Sequence, residues 1–438
     1  MWIIYDLIIH LYGDAISIAA LFNPKARKWD AGRKGLFKEL SSKFKVQSSK
    51  SAVGTIDDSD KNLLRTADRR LPTVIWFHCA SLGEFEQGRP VIEAFRKAHP
   101  GWKILLTFFS PSGYEIRKNY DGADYIFYLP LDTPRNAKKF IRLVRPSIVI
   151  FVKYEFWFRF LNVLYKEKIP VYVISAIFRP QQHFFKWYGG WARKQLRKVT
   201  RFFVQDEESE KLLRAKGIKQ VSISGDTRFD RVAAIAENAR SFPLVEKFAG
   251  NQPVFLAGST WPADEELVLE FIETLGDKMK FIIAPHEVHN ARIEALKSSV
   301  GSQRSAVGVL LFSELNEINA QSARVLIVDG IGYLSHLYQY ATIAYIGGGF
   351  GAGIHNILEA AAFGKPVIFG PKYEKFREAV DLIEAGGAFS INDSEQLNHR
   401  TIELLENLSF RQKSSKICSE YVSLKQGATG IILSKIIQ

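Results

Sequence analysis

Glu84 and Glu155 each stand just past a short apolar run. VIWFH (74–78) leads through Cys79-Ala80-Ser81-Leu82-Gly83 into Glu84, and IVIFV (148–152) leads through Lys153-Tyr154 into Glu155. A carboxylate held at a strand end, within hydrogen-bond reach of a hydroxyl, is what general-base chemistry needs. Glu84 also opens a helical pattern, and a helix start favours negative charge without any chemistry. Farther along, Gly347-Gly348-Gly349-Phe350-Gly351-Ala352-Gly353 precedes His355-Asn356-Ile357-Leu358-Glu359. Glycines that dense let a ligand approach the backbone, a helix after them offers N–H groups to a phosphate, and Glu359 can accept hydrogen bonds from ribose hydroxyls. Gly347, Gly349 and Ala352 satisfy GxGxxA, but late in the chain and with no acidic residue ending the next strand, so a dinucleotide fingerprint is weak. No His, Asp or Glu spacing suggests a built-in metal site.

The elements that must position these residues alternate. VIWFH (74–78), ILLTFF (104–109), IVIFV (148–152), VYVIS (171–175) and RFFVQ (201–205) read as buried strands, with helical patterns such as 85–97 and 137–144 between them. A polar, helical stretch follows Gly225. The pattern then restarts with VFLAG (254–258), FIIAP (281–285), VGVLLF (307–312), VLIVD (325–329), IAYIGG (343–348) and PVIFG (366–370), with helical stretches at 263–275 and 356–363. Such alternation implies an α/β fold of two Rossmann-like halves, each a parallel sheet covered by helices. Ligands of such sheets bind beyond the carboxyl ends of the strands. The expected domains are 1–50, a membrane-associated helix and basic linker; 51–235, the first Rossmann-like half; and 236–438, the second, whose last helices return toward the first.

The chain has 438 residues, 24% charged and 47% hydrophobic, which excludes wholesale disorder and a polytopic membrane protein. Lys and Arg number 59 against 46 Asp and Glu, a net charge of +13 that suits a polyanionic partner. The only cysteines, Cys79 and Cys418, fit a reducing compartment. In MWIIYDLIIHLYGDAISIAALF (1–22), Asp6, His10 and Asp14 break the roughly 18-residue apolar run of a confident span, and their spacing gathers them on one helical face. A helix lying in one leaflet is expected, with no signal peptide. Nine basic residues between Lys25 and Lys50 follow it and mark the cytoplasmic side. A second tract, Arg179 to Arg201, carries seven basic residues interleaved with Phe184, Phe185, Trp187, Tyr188 and Trp191. No nucleic-acid-binding motif accompanies it, so no nucleic acid is expected; a phosphorylated lipid is the better partner, with Arg193, Lys194, Arg197 and Lys198 as acceptor-side candidates.

HCASLGE (78–84), KYEFW (153–157), GDTRFD (225–230), DGIGYL (329–334), GGGFGAGIHNILEAAAFGKPVIFGP (347–371) and FRE (376–378) occur in that order. Together they resemble the 3-deoxy-D-manno-octulosonic acid (Kdo) transferases of lipopolysaccharide biosynthesis, glycosyltransferase family 30, over essentially the whole chain. The resemblance implies a GT-B fold, two Rossmann-like domains facing a central cleft, and inverting, metal-independent transfer of Kdo from CMP-Kdo to lipid IV(A), a lipid A precursor. It implies no cofactor beyond the donor itself, and an enzyme on the cytoplasmic face of the cell inner membrane. Matched by motif, Glu84 falls on the family's proton acceptor and Glu155 on a carboxylate near the transition state. Arg228 stands where most members have Lys. Pro285-His286 stands where they have Pro-Arg against CMP, and Ile331-Gly332-Tyr333 and Asn356-Ile357-Leu358-Glu359 match the other CMP-binding stretches. Lys153 and Tyr154 replace the commoner Glu-Thr, and Phe158 replaces a Pro. Alternative readings are another GT-B nucleotide-sugar transferase, or an epimerase or oxidoreductase built from two Rossmann-like domains.

Overall fold

The computed structural model describes residues 1–49, 73–275, 278–303 and 308–437. Lys50 of the first basic tract and the stretch 51–72, where the second expected domain begins, lie outside the described residues. The chain divides into two compact units, Met1–Arg231 with Gly427–Gln438, and Val232–Gln426.

The first unit holds seven strands: β1 (Val74–Cys79), β2 (Lys103–Phe108), β3 (Tyr125–Tyr128), β4 (Ile148–Val152), β5 (Val171–Ala176), β6 (Arg201–Val204) and β7 (Val221–Ile223). All pair in parallel, in the order β3-β2-β1-β4-β5-β6-β7. Both faces are covered, which is why β1 and β4 read as unbroken apolar runs rather than alternating ones. Phe77 and Ile150 pack with Phe85, Val91, Ile92 and Phe95 of the helix Leu82–Ala98, while Trp76 and Phe151 pack on the other face with Phe140 and Phe160. Each such side chain is fully buried and contributes roughly 1.5–3 kcal/mol. The last helix, Ala428–Ile436, buries Ile432 and Ile436 in the Phe77 cluster. Asp230 holds its start by accepting from the Gly427 and Thr429 amides, each at 2.6 Å.

The second unit repeats the scheme with β8 (Val254–Thr260), β9 (Lys280–Pro285), β10 (Val309–Leu311), β11 (Val325–Ile327), β12 (Ile343–Ile346), β13 (Val367–Phe369) and β14 (Ala388–Ser390). They form a parallel sheet in the order β10-β11-β9-β8-β12-β13-β14. The strands that sequence reading omits are β3, β7 and β14. Each is a sheet edge of three or four residues, too short to show a period.

The N-terminal helix, Trp2–Ala19, is long and apolar enough to cross a membrane, with mean hydropathy 1.3. One face of it packs on the first unit. Trp2, Tyr5, Asp6, Ile9 and Gly13 share the docked face, at the helical spacing of three and four. Tyr5 donates to Asp132, a fully buried carboxylate that also accepts from the Arg159 and Phe160 amides at 2.9 Å and so caps the helix Phe158–Lys166. Arg159 pairs with Asp6 and lies 3.9 Å over the Trp2 ring. Of the three polar residues expected on one face, only Asp6 is docked; His10 and Asp14 are exposed. The opposite face leaves Ile3, Ile4, Leu7, Ile8, Leu11 and Ile18 exposed.

Candidate functional site

In an open parallel sheet the crevice forms where the strand order reverses. In the first unit that place is the carboxyl end of β1 beside β4, and the two carboxylates arrive there from different strands. Glu84 sits in the first turn of the helix that follows β1, and Glu155 three residues beyond β4. Ser81, the N-cap, donates its hydroxyl to Glu84 Oε2 instead of capping the backbone. Lys153 Nζ lies 3.9 Å from Glu84 Oε1. Its own backbone is in the left-handed region, φ 70°, which a lysine adopts at a cost. Burial, and then the charge of Glu84, push the Glu155 carboxyl up to about 7, with Lys153 opposing. Burial and the neighbouring Glu84 therefore favour the protonated form of Glu155.

HCASLGE and KYEFW are also joined directly. Trp157 Nε1 donates to His78 Nε2 at 2.9 Å, so His78 Nδ1 carries the proton and donates to Thr107 Oγ1 at 2.9 Å. Burial pushes the His78 pKa down to about 3 and keeps it neutral. His78 pins Trp157, and with it the segment carrying Glu155, to the core. The turn with Arg228 is fixed in the same way: Thr227 Oγ1 donates to Gln87 O at 2.5 Å, Arg231 pairs with Glu86 at 3.3 Å, and Arg228 Nε reaches Asp226 Oδ2 at 2.8 Å. Gln87 and Glu86 belong to the helix that carries Glu84.

The reversal in the second unit falls between β8 and β12. Trp261 after β8, His286 after β9 and His355 beyond β12 stack there, with centroids 4.7 Å apart for Trp261–His286 and 4.4 Å for His286–His355. Trp261 Nε1 donates to His355 Nε2 at 2.9 Å, leaving Nδ1 of His355 as the N–H. Burial and His286 lower the His355 pKa, with Asp264 opposing. Asp264, 1% exposed, accepts from the amides of Trp261 and Gly348 and from the Tyr345 hydroxyl, locking the glycine loop to β8. The glycines serve the protein's own packing as much as any ligand. A Cβ at Gly347 would fall 2.4 Å from Ser259 O, and one at Gly349 2.6 Å from the Gly370 backbone. Lys372 Nζ holds the loop from outside through Gly351 O, at 2.8 Å.

The helix after this loop is only Leu358–Ala362, shorter than the expected 356–363. Asn356 caps it, accepting from Leu358 N and donating to Glu359 Oε1, both at 3.2 Å. Ile357 and Leu358 are fully buried, so only their backbone can face a ligand. Pro285 is buried and His286 exposed. Ile331 is 84% exposed at a turn where Gly332 has φ 89°, and Tyr333 packs on Phe312 at 4.6 Å. Sequence reading misses Trp261, although it directly follows a central strand, the signal that marks Glu84. Among the described residues no His, Cys, Asp or Glu set gathers as a metal site would need.

The four acceptor-side candidates do not act alike. Arg193 spends its guanidinium on the Phe184 and Lys186 carbonyls, at 2.8 and 2.9 Å. Lys194 is exposed. Arg197 and Lys198 precede β6, at the amino end of the sheet, whereas Glu84 and Glu155 lie at its carboxyl end.

Residues 40–231 match a family model described as 3-deoxy-D-manno-octulosonic-acid transferase (kdotransferase). A curated 3-deoxy-D-manno-octulosonic acid transferase of Aquifex aeolicus is 28% identical over 358 residues, covering 80% of this chain and 91% of its own length. Over about four-fifths of its length the chain is similar to a Kdo transferase. The transferase of that name from Haemophilus influenzae is 25% identical over 77% of this chain and 80% of its own length, and that of Chlamydophila psittaci 27% over 72% and 73%. Among solved structures, UDP-GlcNAc 2-epimerase from Neisseria meningitidis matches with TM-score 0.57 at 17% identity, covering 83% of this chain and 99% of its own. MurG of Acinetobacter baumannii matches with TM-score 0.50 at 13% identity, covering 83% and 99%. These likenesses place the chain in the GT-B fold class.

Proposed function

We propose that the chain transfers Kdo from CMP-Kdo to lipid IV(A), inverting the anomeric carbon without a metal. The observation that supports this most is the meeting of Glu84, Lys153 and Glu155 at the reversal point of the first sheet, in a chain related to Kdo transferases over four-fifths of its length. Glu84 takes the proton of the acceptor's primary hydroxyl as that oxygen attacks the anomeric carbon, and CMP leaves with the bonding pair. Kdo is itself a carboxylate. Two ionised glutamates would repel it, whereas a protonated Glu155 donates a hydrogen bond and Lys153 offsets the remaining charge. Arg228 supplies a cation to the leaving phosphate. In the second unit the stacked rings of Trp261, His286 and His355 offer aromatic surface to the nucleotide, Asn356 and Glu359 serve its ribose hydroxyls, and the backbone of Ile331-Gly332-Tyr333 meets CMP.

The N-terminal helix supports a lipid acceptor. Its exposed apolar face suits the boundary of a bilayer. Its later half reaches the site: Tyr12 stacks on Phe109 at 6.0 Å, and Phe109 packs on Trp157 at 4.5 Å. We place the protein on the cytoplasmic face of the inner membrane, with the helix lying on the surface. Thermal shift separates this reading from the epimerase or oxidoreductase ones. CMP should stabilise the protein at concentrations where UDP and NAD do not. A larger shift with UDP or NAD would overturn the donor assignment.

A further inference from the structure

The amino ends of β5, β6 and β7 frame an open depression of about 860 Å³, whose lining includes Tyr165, Lys166, Lys168, Arg197, Lys198 and Gln220. Four of these residues are cations and none is acidic. None of the four makes an ion pair among the described residues. Lys198 Nζ is held by neutral acceptors, Asn162 Oδ1 at 2.7 Å and Gln195 Oε1 at 2.6 Å. Burial, then Lys166 and Lys194, push its pKa down to about 8. Lys168 sits at φ 57°, at a helix end where glycine or asparagine is the relaxed choice. Unpaired cations crowded into a concavity repel one another, and an anion relieves that repulsion.

β5 has six residues, so at about 3.3 Å per residue its two ends are about 17 Å apart. The depression is therefore remote from Glu84 and Glu155 and separate from the reacting site. Its neighbour identifies the source of the anion. Lys198 Nζ lies 5.3 Å from the ring of Trp2, the first residue of the N-terminal helix, whose Ile3, Ile4 and Leu7 are exposed at that same end. Tyr165 on the rim is 58% exposed. Cations beside an apolar surface suit a headgroup phosphate whose acyl chains run alongside.

We propose that this depression binds the phosphate of an anionic phospholipid, anchoring the start of the N-terminal helix at the membrane. The site stands apart from the transferase reading, and its test needs no turnover. Full-length protein is floated with vesicles of three parts phosphatidylcholine to one part phosphatidylglycerol, and with pure phosphatidylcholine. At about tenfold per two lysines or more, K166Q/K168Q should lose binding to the anionic vesicles and keep binding to the neutral ones. K97Q/K118Q, which removes the same charge from elsewhere on the unit, should lose much less. Equal loss in the two variants would reduce the effect to net charge and overturn the site, as would unchanged binding of K166Q/K168Q. Loss on neutral vesicles as well would show a disturbed helix and overturn it too. Inorganic phosphate that displaces the protein from anionic vesicles more strongly than chloride of equal ionic strength would make the ligand a free phosphate, not a lipid.

Discussion

Replacing Glu84 with Gln removes one charge and almost no volume, which makes it the cleanest test of the base. Two contacts bear on the size of the effect. The hydroxyl of Ser81 can still donate to the amide oxygen, and the pairing with Lys153 at 3.9 Å is lost. The Lys153 and Glu84 side chains are 26% and 15% exposed, between a surface pair and a buried one, so the pair contributes roughly 1–2 kcal/mol. A unit of this size should then melt only about 2–8 °C lower. Loss of a general base costs about 10²–10⁴ in rate, equivalent to about 3–5.5 kcal/mol. Activity should therefore fall at least a hundredfold in a protein that stays folded and binds CMP as before. A second consequence follows from Glu155. The charge of Glu84 is one of the two causes holding its carboxyl near 7, so the residual activity should have its pH dependence displaced to lower pH. Steady-state assays from pH 5 to 9, with CMP titration by calorimetry, measure both. Turnover within tenfold of the wild type would refute the assignment.

Other expectations follow from the same geometry. Folded Glu155 keeps its proton up to about 7 while an unfolded glutamate releases it near 4.5, so it makes stability fall as pH rises through that window; Glu155→Gln should flatten that part of the melting-temperature profile, and an unchanged slope would contradict the shift. Trp261→Leu should weaken CMP binding about three- to tenfold by removing the stack on His286 and the donor to His355, read by calorimetry. Glu359→Ala should also weaken CMP binding, and unchanged affinity would move the ribose contact elsewhere. Changing Ile4, Leu7 and Leu11 to Gln should reduce flotation with liposomes at least about tenfold with little change in melting, because those side chains are exposed. Deleting residues 1–22 is a harsher change, since it strips Tyr5 from the buried Asp132 and uncovers Trp191, and should lower the melting temperature as well.

Long central strands were legible in the sequence because burial on both faces makes them continuous apolar runs, and β4 appears with the bounds its residues suggest. Edge strands of three or four residues carry no such signal. Glu84 and Glu155 were legible because strand ends are where parallel sheets bind ligands. Their convergence was not, since it depends on β1 and β4 being neighbours although β2 and β3 intervene in the chain. The contact of His78 with Trp157 and the stack of Trp261, His286 and His355 were hidden for the same reason. The N-terminal segment posed a different problem. Its polar residues suggested one face, but Tyr5 and Trp2 do more of the docking than His10 or Asp14, and only the partners Asp132, Arg159 and Trp191 reveal that. The basic-aromatic tract likewise looked uniform, although Arg193 is bound to backbone carbonyls and Arg197 and Lys198 lie at the far end of the sheet.

The most direct test of the proposed activity is mass spectrometry of the lipid recovered after the protein is incubated with CMP-Kdo and lipid IV(A), with CMP measured in the same sample. Lipid IV(A) should gain whole Kdo residues in step with CMP release, and both should fall at least about a hundredfold with Glu84→Gln. Unmodified lipid from a folded, CMP-binding protein, or CMP released with free Kdo and no glycosylated lipid, would contradict the proposed activity.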